Sequence, residues 1–321
     1  MINIESDELG QVVHCGIVKN TDAPSYLQFI ARTGCSWSLV ERKSMVIESK
    51  IIFLGTAGDM MVAGKQLLAS GGIIVQYDGM QLHLNPGPGA LVRCRQFNIN
   101  PRETDVILVS RNTTLHANDV NAVIDAMTND GLDKKGVVVS TPQAIDGDAT
   151  RHGLLQPSSQ QHVERIIQLK VADKVALNNI EITPTPTEFD DEAGVGFLVS
   201  TPKYLLSYVG DSRYVRRVAK AHDVADIVIL NVPFLQQKGD ESGMTIDDAI
   251  KFLKDVRPIL AIISGFGMKM IEADVLEQIR RIQHETKVQT IAAKDGLIVN
   301  PLSFTTTITQ KKLFTERSEA I

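Results

Sequence analysis

Side chains that could do chemistry in this 321-residue chain lie in two short segments. The segment SRNTTLH contains the guanidinium of Arg111, the hydroxyl of Thr113 and the imidazole of His116. The segment YVGDSRY places the carboxylate of Asp211 directly after a glycine. Imidazole and carboxylate groups ligate divalent ions or transfer protons, whereas a guanidinium binds anions. The sequence therefore offers these four side chains as candidate site residues.

A small anion site is a second interpretation of this set. Arg111 and Thr113, together with Ser264 and Lys269, would supply two cations and two hydroxyl groups. The sequence contains neither a Gly-x-Ser-x-Gly elbow nor a Walker-type Gly-Lys-Ser/Thr loop. The glycines of the NPGPG segment predict a turn, because the adjoining prolines lack the N–H groups that bind phosphate.

Composition and charge narrow the class of protein. Hydrophobic residues make up 43% and charged residues 22%, which is typical of a globular chain. A net charge of −5 does not favour binding to nucleic acid. Three cysteines without metal-ligand spacing predict a reducing, cytoplasmic compartment. No secretory signal is visible, and no apolar run reaches the roughly 18 residues of a membrane span, so we expect no membrane association.

Short runs of Val, Ile and Leu alternate with amphipathic patterns, which predicts a layered α/β protein. Predicted strands cover 51–56, 73–77, 106–110, 137–140, 205–209, 227–232 and 259–264, and predicted helices cover 118–127, 213–221, 245–256 and 273–285. Several strands end in Gly, Ser, Asp or Asn, and such strand ends are where α/β proteins usually carry their sites.

The chain divides into three predicted parts. Residues 1–50, with modest periodicity and the single tryptophan Trp37, are interpreted as an amino-terminal extension. Residues 51–303 form the main predicted domain, and residues 304–321 a polar carboxy-terminal tail.

Five motifs in the main domain follow one another in a recognisable order: IIFLGTAGD, the Pro-Gly-Pro-Gly loop of HLNPGPGALVR, YVGDSRY, LAIISGFGMKMI and IAAKDGLIVN. This order resembles the metallo-β-lactamase fold family. The resemblance implies an αββα sandwich, in which two mixed sheets stack and helices cover their outer faces. It also implies an active site along one edge of the stacked sheets.

Enzymes of this family hold one or two zinc or similar ions through a His-x-His-x-Asp-His motif, a later His, a bridging Asp and a final His. The resemblance maps these positions onto Arg111, Thr113, Leu115, His116, Phe189, Asp211 and Gly265, and maps the Asp of the Pro-Gly-Pro-Gly loop onto Asn85. Two ligands remain, whereas a catalytic zinc needs about three protein ligands. We therefore expect no metal cofactor, unless His116 and Asp211 form a rebuilt site with Glu188, Asp190 or Asp191.

The charge of Asp211 leaves two alternatives open. In the first, the guanidinium of Arg111 occupies the vacated metal space and pairs with Asp211. In the second, Arg111 points to solvent and backbone amides satisfy Asp211.

The leading functional hypothesis is a metal-free pseudoenzyme that acts as a binding or structural subunit, for a partner protein or for a small ligand in the old cleft. By analogy with catalytically dead relatives, it would form a homo- or hetero-oligomer. One alternative is a hydrolase of a phosphoester, amide or lactone that uses a rebuilt zinc or other divalent site around His116 and Asp211, or no metal. Another is a sensor of an anionic metabolite.

Overall fold

Two β-sheets organise the part of the chain that follows residue 48. The computed structural model describes residues 2–6, 12–17, 30–33, 36–39, 49–149, 151–189, 194–236 and 242–308. The chain separates into two compact units, Met1–Ile47 and Glu48–Ile321. The first unit contains two antiparallel strand pairs, β1 (Ile2–Ser6) with β2 (Val12–Ile17), and β3 (Ile30–Thr33) with β4 (Ser36–Leu39).

The second unit contains the remaining strands and the helices. Its strands are β5 (Ser49–Phe53), β6 (Ile73–Tyr77), β7 (Met80–Leu84), β8 (Thr104–Leu108), β9 (Val137–Ser140), β10 (Arg165–Gln168), β11 (Val175–Leu177), β12 (Ile180–Pro186), β13 (Val195–Ser200), β14 (Leu205–Tyr208), β15 (Ile227–Asn231), β16 (Leu260–Ser264), β17 (Gln289–Ala292), β18 (Leu297–Asn300) and β19 (Thr305–Ile308). Its helices are α1 (Met60–Gly64), α2 (Ala90–Gln96), α3 (Thr114–Ala117), α4 (Val120–Thr128), α5 (Pro142–Asp146), α6 (Pro157–His162), α7 (Arg216–Ala221), α8 (Ile246–Val256), α9 (Met268–Glu272) and α10 (Val275–Thr286).

Each sheet of the second unit is antiparallel in one half and parallel in the other. The first has the order β10-β9-β8-β7-β6-β5-β18-β19, and its parallel half runs from β10 to β7. The second has the order β11-β12-β13-β14-β15-β16-β17, and its parallel half runs from β14 to β17. Two mixed sheets with helices confirm the predicted α/β class and the metallo-β-lactamase-like architecture.

Successive side chains of the first sheet pack into apolar layers on opposite faces, because side chains along a strand alternate with a period of two residues. Ile52 and Ile74 pack in one cluster with Cys94 and Phe97, at the end of α2. On the opposite face, the ring of Tyr77 contacts Tyr204 edge-on, with 5.8 Å between the ring centroids. The first sheet is therefore buried on both faces.

Helix α8 illustrates how well local signals fix an element. Thr245 accepts a hydrogen bond from the backbone N–H of Asp248, whose carboxylate accepts one from the N–H of Thr245. This reciprocal capping box fixes the start of the helix. The apolar face of α8 is buried beneath the second sheet. The helix predicted over 245–256 is therefore confirmed, with Thr245 as its N-cap.

The predicted domain boundaries need adjustment at both ends. The first strand of the second unit already begins at Ser49, within the predicted extension. The first residues of the predicted tail belong to the fold, because β19 pairs antiparallel with β18.

Of the three cysteines, Cys15 and Cys35 have no described side chains. Cys94 is a buried free thiol, and burial raises its pKa to about 12, so it is a poor nucleophile. Within the described part of the chain, no helix has the length and apolarity needed to cross a bilayer.

Candidate functional site

Polar residues from both sheets meet where five strands end. Asn85 follows β7, and Arg111 follows β8 after two residues. In the second sheet, Asp211 follows β14, Asn231 ends β15, and Gly265 follows β16. Carboxyl ends of parallel strands lie on the same edge of a sheet, and this edge is where open α/β folds carry their sites.

One side chain lies against each carboxylate oxygen of Asp211. Its Oδ2 atom lies 3.5 Å from Nε2 of His116, which is 7% exposed. Its Oδ1 atom accepts a hydrogen bond of 3.0 Å from the side-chain amide of Asn231. His116 and the side-chain amide of Asn231 therefore lie against the carboxylate, where Arg111 or backbone amides were expected.

The amide of Asn231 also connects Asp211 to a buried polar cluster between the sheets. It donates a second hydrogen bond, of 2.9 Å, to the phenol oxygen of Tyr208, which accepts another of 2.9 Å from Asn85. Asn85 is held in turn by Ser110, whose backbone N–H donates to its Oδ1 at 2.8 Å. Burial raises the pKa of Tyr208 far above its ordinary value, so this phenol stays protonated and neutral.

Arg111 and Phe189 stack on each other, although both stand at positions where the resemblance implies metal ligands. The guanidinium carbon of Arg111 lies 3.7 Å from the ring centroid of Phe189, a cation–π contact. Arg111 is 4% exposed. A Cβ atom at Gly194 would lie 2.9 Å from Nε of Arg111, so the absence of a side chain there makes room for the guanidinium.

Thr113 and His116 are joined by a local hydrogen bond across the first turn of α3. The distance between Oγ1 of Thr113 and Nδ1 of His116 is 2.9 Å. Thr113 occupies the N-cap position of α3 but makes no side-chain capping bond. Its hydroxyl is therefore committed to the imidazole rather than to the helix backbone.

These groups open onto a cleft of about 570 Å³. The cleft is lined by Met60, Arg111, Thr113, Thr114, Leu115, His116, Arg151, Phe189 and Asp211. A smaller cavity of about 40 Å³ also contacts His116, and its lining includes Asn85, Tyr208, Asn231, Ser264 and Gly265. The cleft has the size of a small-ligand site, whereas the smaller cavity has room for about one water molecule.

The structure brings together most of the residues that the sequence proposed, but not all. Arg111, Thr113, His116 and Asp211 line the cleft, and Ser264 lines the smaller cavity. Lys269 is exposed on α9 and is not among the residues that line either space, so its place in the anion site stays a prediction. Lysine spacing along a sequence does not reveal which side of a short helix faces the cleft.

Of the carboxylates proposed for a rebuilt metal site, Glu188 alone lies among the described residues. The side chain of Glu188 is engaged 2.5 Å from the guanidinium of Arg217, and Asp190 and Asp191 lie outside the described residues. The described part of the chain has no group of three potential metal ligands at the cleft. With the stacked Arg111 and Phe189 at former ligand positions, the residues do not fit the zinc centre of this fold.

A group of three potential ligands does occur elsewhere. Ligand atoms of Asp125, Asp130 and His162 lie within 4.8 Å of one another, near the end of α4. Nδ1 of His162 is 3.2 Å from Oδ1 of Asp125, and both aspartates are at least partly exposed. The fold family usually binds zinc. Because of this group, the described residues do not exclude metal binding by this chain.

Sequence reasoning missed several residues that shape the site. Asn231, Arg151 and Met60 carry no motif of their own, and Tyr208 begins the YVGDSRY motif but was not proposed as a site residue. A polar residue at the end of a buried strand was the available signal for Asn231. No comparable signal marked Arg151.

Comparison with known proteins agrees with the fold. The model of the Beta-lactamase superfamily domain matches residues 81–266, more than half of the chain. A curated relative, Uncharacterized protein MJ1374 of Methanocaldococcus jannaschii, is 26% identical over 256 residues, which cover 79% of this chain and 96% of that protein.

Solved structures are similar in fold at lower sequence identity. The metallo-β-lactamase fold protein YhfI from Bacillus subtilis superposes with a TM-score of 0.66 at 15% identity, covering 78% of this chain and 98% of YhfI. Igni18, a metallo hydrolase from Ignicoccus hospitalis, gives a TM-score of 0.57 at 15% identity and covers 82% of this chain and 99% of Igni18.

Proposed function

This chain belongs to the β-lactamase superfamily, and we propose that it is a metal-free member whose cleft binds a small anionic molecule. The observation that carries the proposal is the position of Arg111. A buried guanidinium lines the cleft at a position where the family places a metal ligand. It supplies fixed positive charge where relatives place a metal ion, and it recognises carboxylate and phosphate groups bidentately.

The rest of the cleft lining supports the same ligand class. Arg151 adds a second guanidinium, and Thr113 and Thr114 add hydroxyl groups. A guanidinium carries five N–H donors, so an arginine that already holds one acceptor can bind another. The volume of about 570 Å³ lies within the range of small-molecule sites.

Apolar side chains in the cleft indicate that the ligand has an apolar part besides its charged group. Met60, Leu115 and Phe189 line the cleft together with the cationic groups. Such a mixed lining suits an anion with an apolar body, because the apolar part is removed from water while the arginines hold the charged part. We therefore expect amphipathic organic anions to bind more tightly than inorganic phosphate.

The first test combines metal content with ligand-induced stabilisation. Protein purified without chelator and challenged with zinc should hold no ion that depends on His116 or Asp211. Inorganic phosphate, compared with chloride at equal ionic strength, should raise the melting temperature by mass action. Arg151→Gln should reduce that increase, while the matched control Arg165→Gln, at an exposed position on β10, should leave it unchanged.

Two results would contradict the proposal. One is a tightly held ion that is lost on His116→Ala, which would indicate a rebuilt metal centre. The other is an absence of stabilisation by phosphate and by amphipathic carboxylates, which would leave the cleft without an anionic ligand.

A further inference from the structure

A hydroxyl, an imidazole and a carboxylate lie in sequence along one wall of the cleft. Oγ1 of Thr113 is 2.9 Å from Nδ1 of His116, and Nε2 of His116 is 3.5 Å from Oδ2 of Asp211. Asn231 donates to the other oxygen of Asp211 and so fixes its orientation. A nucleophile in contact with a base that is itself oriented by a third group is the arrangement of a catalytic triad.

For a neutral His116, the donors and acceptors of this chain allow one placement of protons. An ionised Asp211 only accepts hydrogen bonds, so a neutral His116 places its proton on Nε2, facing that carboxylate. Nδ1 of His116 is then an acceptor for the hydroxyl proton of Thr113. This is the tautomer that a general base needs in order to activate Thr113 Oγ1.

Thr113 is also accessible to a ligand. Its side chain lines the cleft and is partly exposed, whereas His116 behind it is buried. Because it makes no side-chain capping bond, the hydroxyl is not needed to hold the start of α3. Arg111 and Arg151 line the same cleft.

We propose that Thr113, His116 and Asp211 form a metal-independent catalytic triad that hydrolyses carboxylic esters bearing an anionic group. The proposal rests on the anion-binding function above, because the cationic cleft positions the ester. Thr113 is the nucleophile, His116 the general base and acid, and Asp211 a positioning residue. Residues at positions where the resemblance implies metal ligands would thus catalyse hydrolysis without a metal ion.

The reaction balances without any further reagent. Oγ1 of Thr113 attacks the ester carbonyl carbon while its proton passes to Nδ1 of His116. The C–O bond to the alcohol then breaks, and the departing alkoxide takes that proton from His116. Water, activated by the same imidazole, next attacks the acyl-threonine, releasing the carboxylic acid and restoring the hydroxyl of Thr113.

The test is acylation of the full-length protein by the mono-p-nitrophenyl ester of succinic acid, in the presence of a chelator. We expect a burst of p-nitrophenolate up to one equivalent, with a succinyl adduct on Thr113 located by peptide mass spectrometry. Thr113→Val, which removes the hydroxyl at nearly constant shape, should abolish both. Thr113→Ser should retain them, and His116→Gln should slow acylation about 100-fold or more.

Asp211→Asn separates positioning from folding. It should lower kcat about 100-fold or more while KM stays near its value in the unaltered protein, because the amide favours the wrong imidazole tautomer. A purely structural defect would instead weaken the stabilisation by phosphate and raise KM at the same time.

The two proposals fail in different ways. Stabilisation by phosphate without a burst, or a burst that survives Thr113→Val, would overturn the triad and leave the binding function in place. A loss of phosphate stabilisation with a Thr113-dependent burst would overturn the anionic substrate class, because the ester would then be recognised without the cationic cleft. Acylation confined to surface lysines would also overturn the triad.

Discussion

At the scale of single residues, Asn231 leaves no room for a side chain at Gly265, the position to which the resemblance assigns the final histidine. A Cβ atom at Gly265 would lie 2.8 Å from Cβ of Asn231, and the backbone φ of Gly265 is +65°. Such a φ favours glycine, because a side chain there meets the backbone. Asn231 thus occupies space beside the position that would hold a histidine, and it uses that space to bind Asp211.

Gly265→His should therefore not rebuild a zinc site. We expect a loss of roughly 2–4 kcal/mol in the free energy of unfolding, from strain and overpacking against Asn231, and no gain in bound zinc. The matched control is Gly79→His, since Gly79 has φ +81° but open space around its missing side chain. Chemical denaturation and metal analysis check both variants, and stoichiometric zinc binding by Gly265→His would contradict this account.

Buried histidines make stability depend on pH. Desolvation by burial lowers the pKa of His83 to about 4 and that of His222 to about 3, from an ordinary value near 6.5. Below pH 6.5 the unfolded chain takes up protons that the folded chain does not. The contribution to stability is thus fully present above pH 6.5, and it is lost as the pH falls toward 4 for His83 and toward 3 for His222.

Urea denaturation at several pH values should show this loss. The free energy of unfolding should fall by up to about 1.4 kcal/mol per pH unit for each buried histidine as the pH drops below about 6.5. His222→Leu should reduce the slope, and His152→Gln, at an exposed position, should leave it unchanged. An equal slope in His222→Leu would argue against the assignment.

At the scale of elements, one carboxylate ties the Pro-Gly-Pro-Gly loop to α4. Oδ2 of Asp119 accepts hydrogen bonds of 2.9 Å from the backbone N–H groups of Gly89 and Ala90. These donors begin α2 and have no partner within that helix. The loop follows Asn85 directly, so Asp119 supports the segment that reaches Tyr208 across the sheets.

Asp119→Ala should leave the N–H of Gly89 without its acceptor and the N–H of Ala90 with only its 3.2 Å hydrogen bond to the carbonyl oxygen of Gly87. We expect the free energy of unfolding to fall by about 1–3 kcal/mol, because partly buried donors lose their hydrogen bonds. Asp119→Asn retains an oxygen acceptor and should cost less. Thermal or urea unfolding compares the two variants, and equal losses would mean that the charge rather than the hydrogen bonding is responsible.

At the scale of the whole molecule, the cores described here belong to the second unit. The clusters around α2, α4 and α8 contain no residue before Ile52. A chain that begins at Glu48 should therefore keep its cooperative unfolding transition and nearly the same melting temperature. Circular dichroism of that truncated chain is the measurement, and a molten or aggregated product would contradict the prediction.

The predicted oligomer stays a prediction, which light scattering on the full chain would test.

The amino-acid sequence by itself determined the fold. Strands 73–77 and 137–140 agree with the structure to the residue, because buried strands are short apolar runs bounded by polar turns. The replacement of ligands by Arg111 and Phe189 is a matter of residue type. The chemistry of a side chain is enough to show that it cannot coordinate an ion.

Only the tertiary structure decided which of the remaining residues meet. Asp211 is 95 positions from His116 and 20 from Asn231, and nothing in their spacing reveals that both contact its carboxylate. The same holds for Arg111 on Phe189 and for Lys269, which is not among the residues that line the cleft. Such contacts depend on how two sheets stack and where their strands end, and that arrangement is a property of the packed chain rather than of any local pattern.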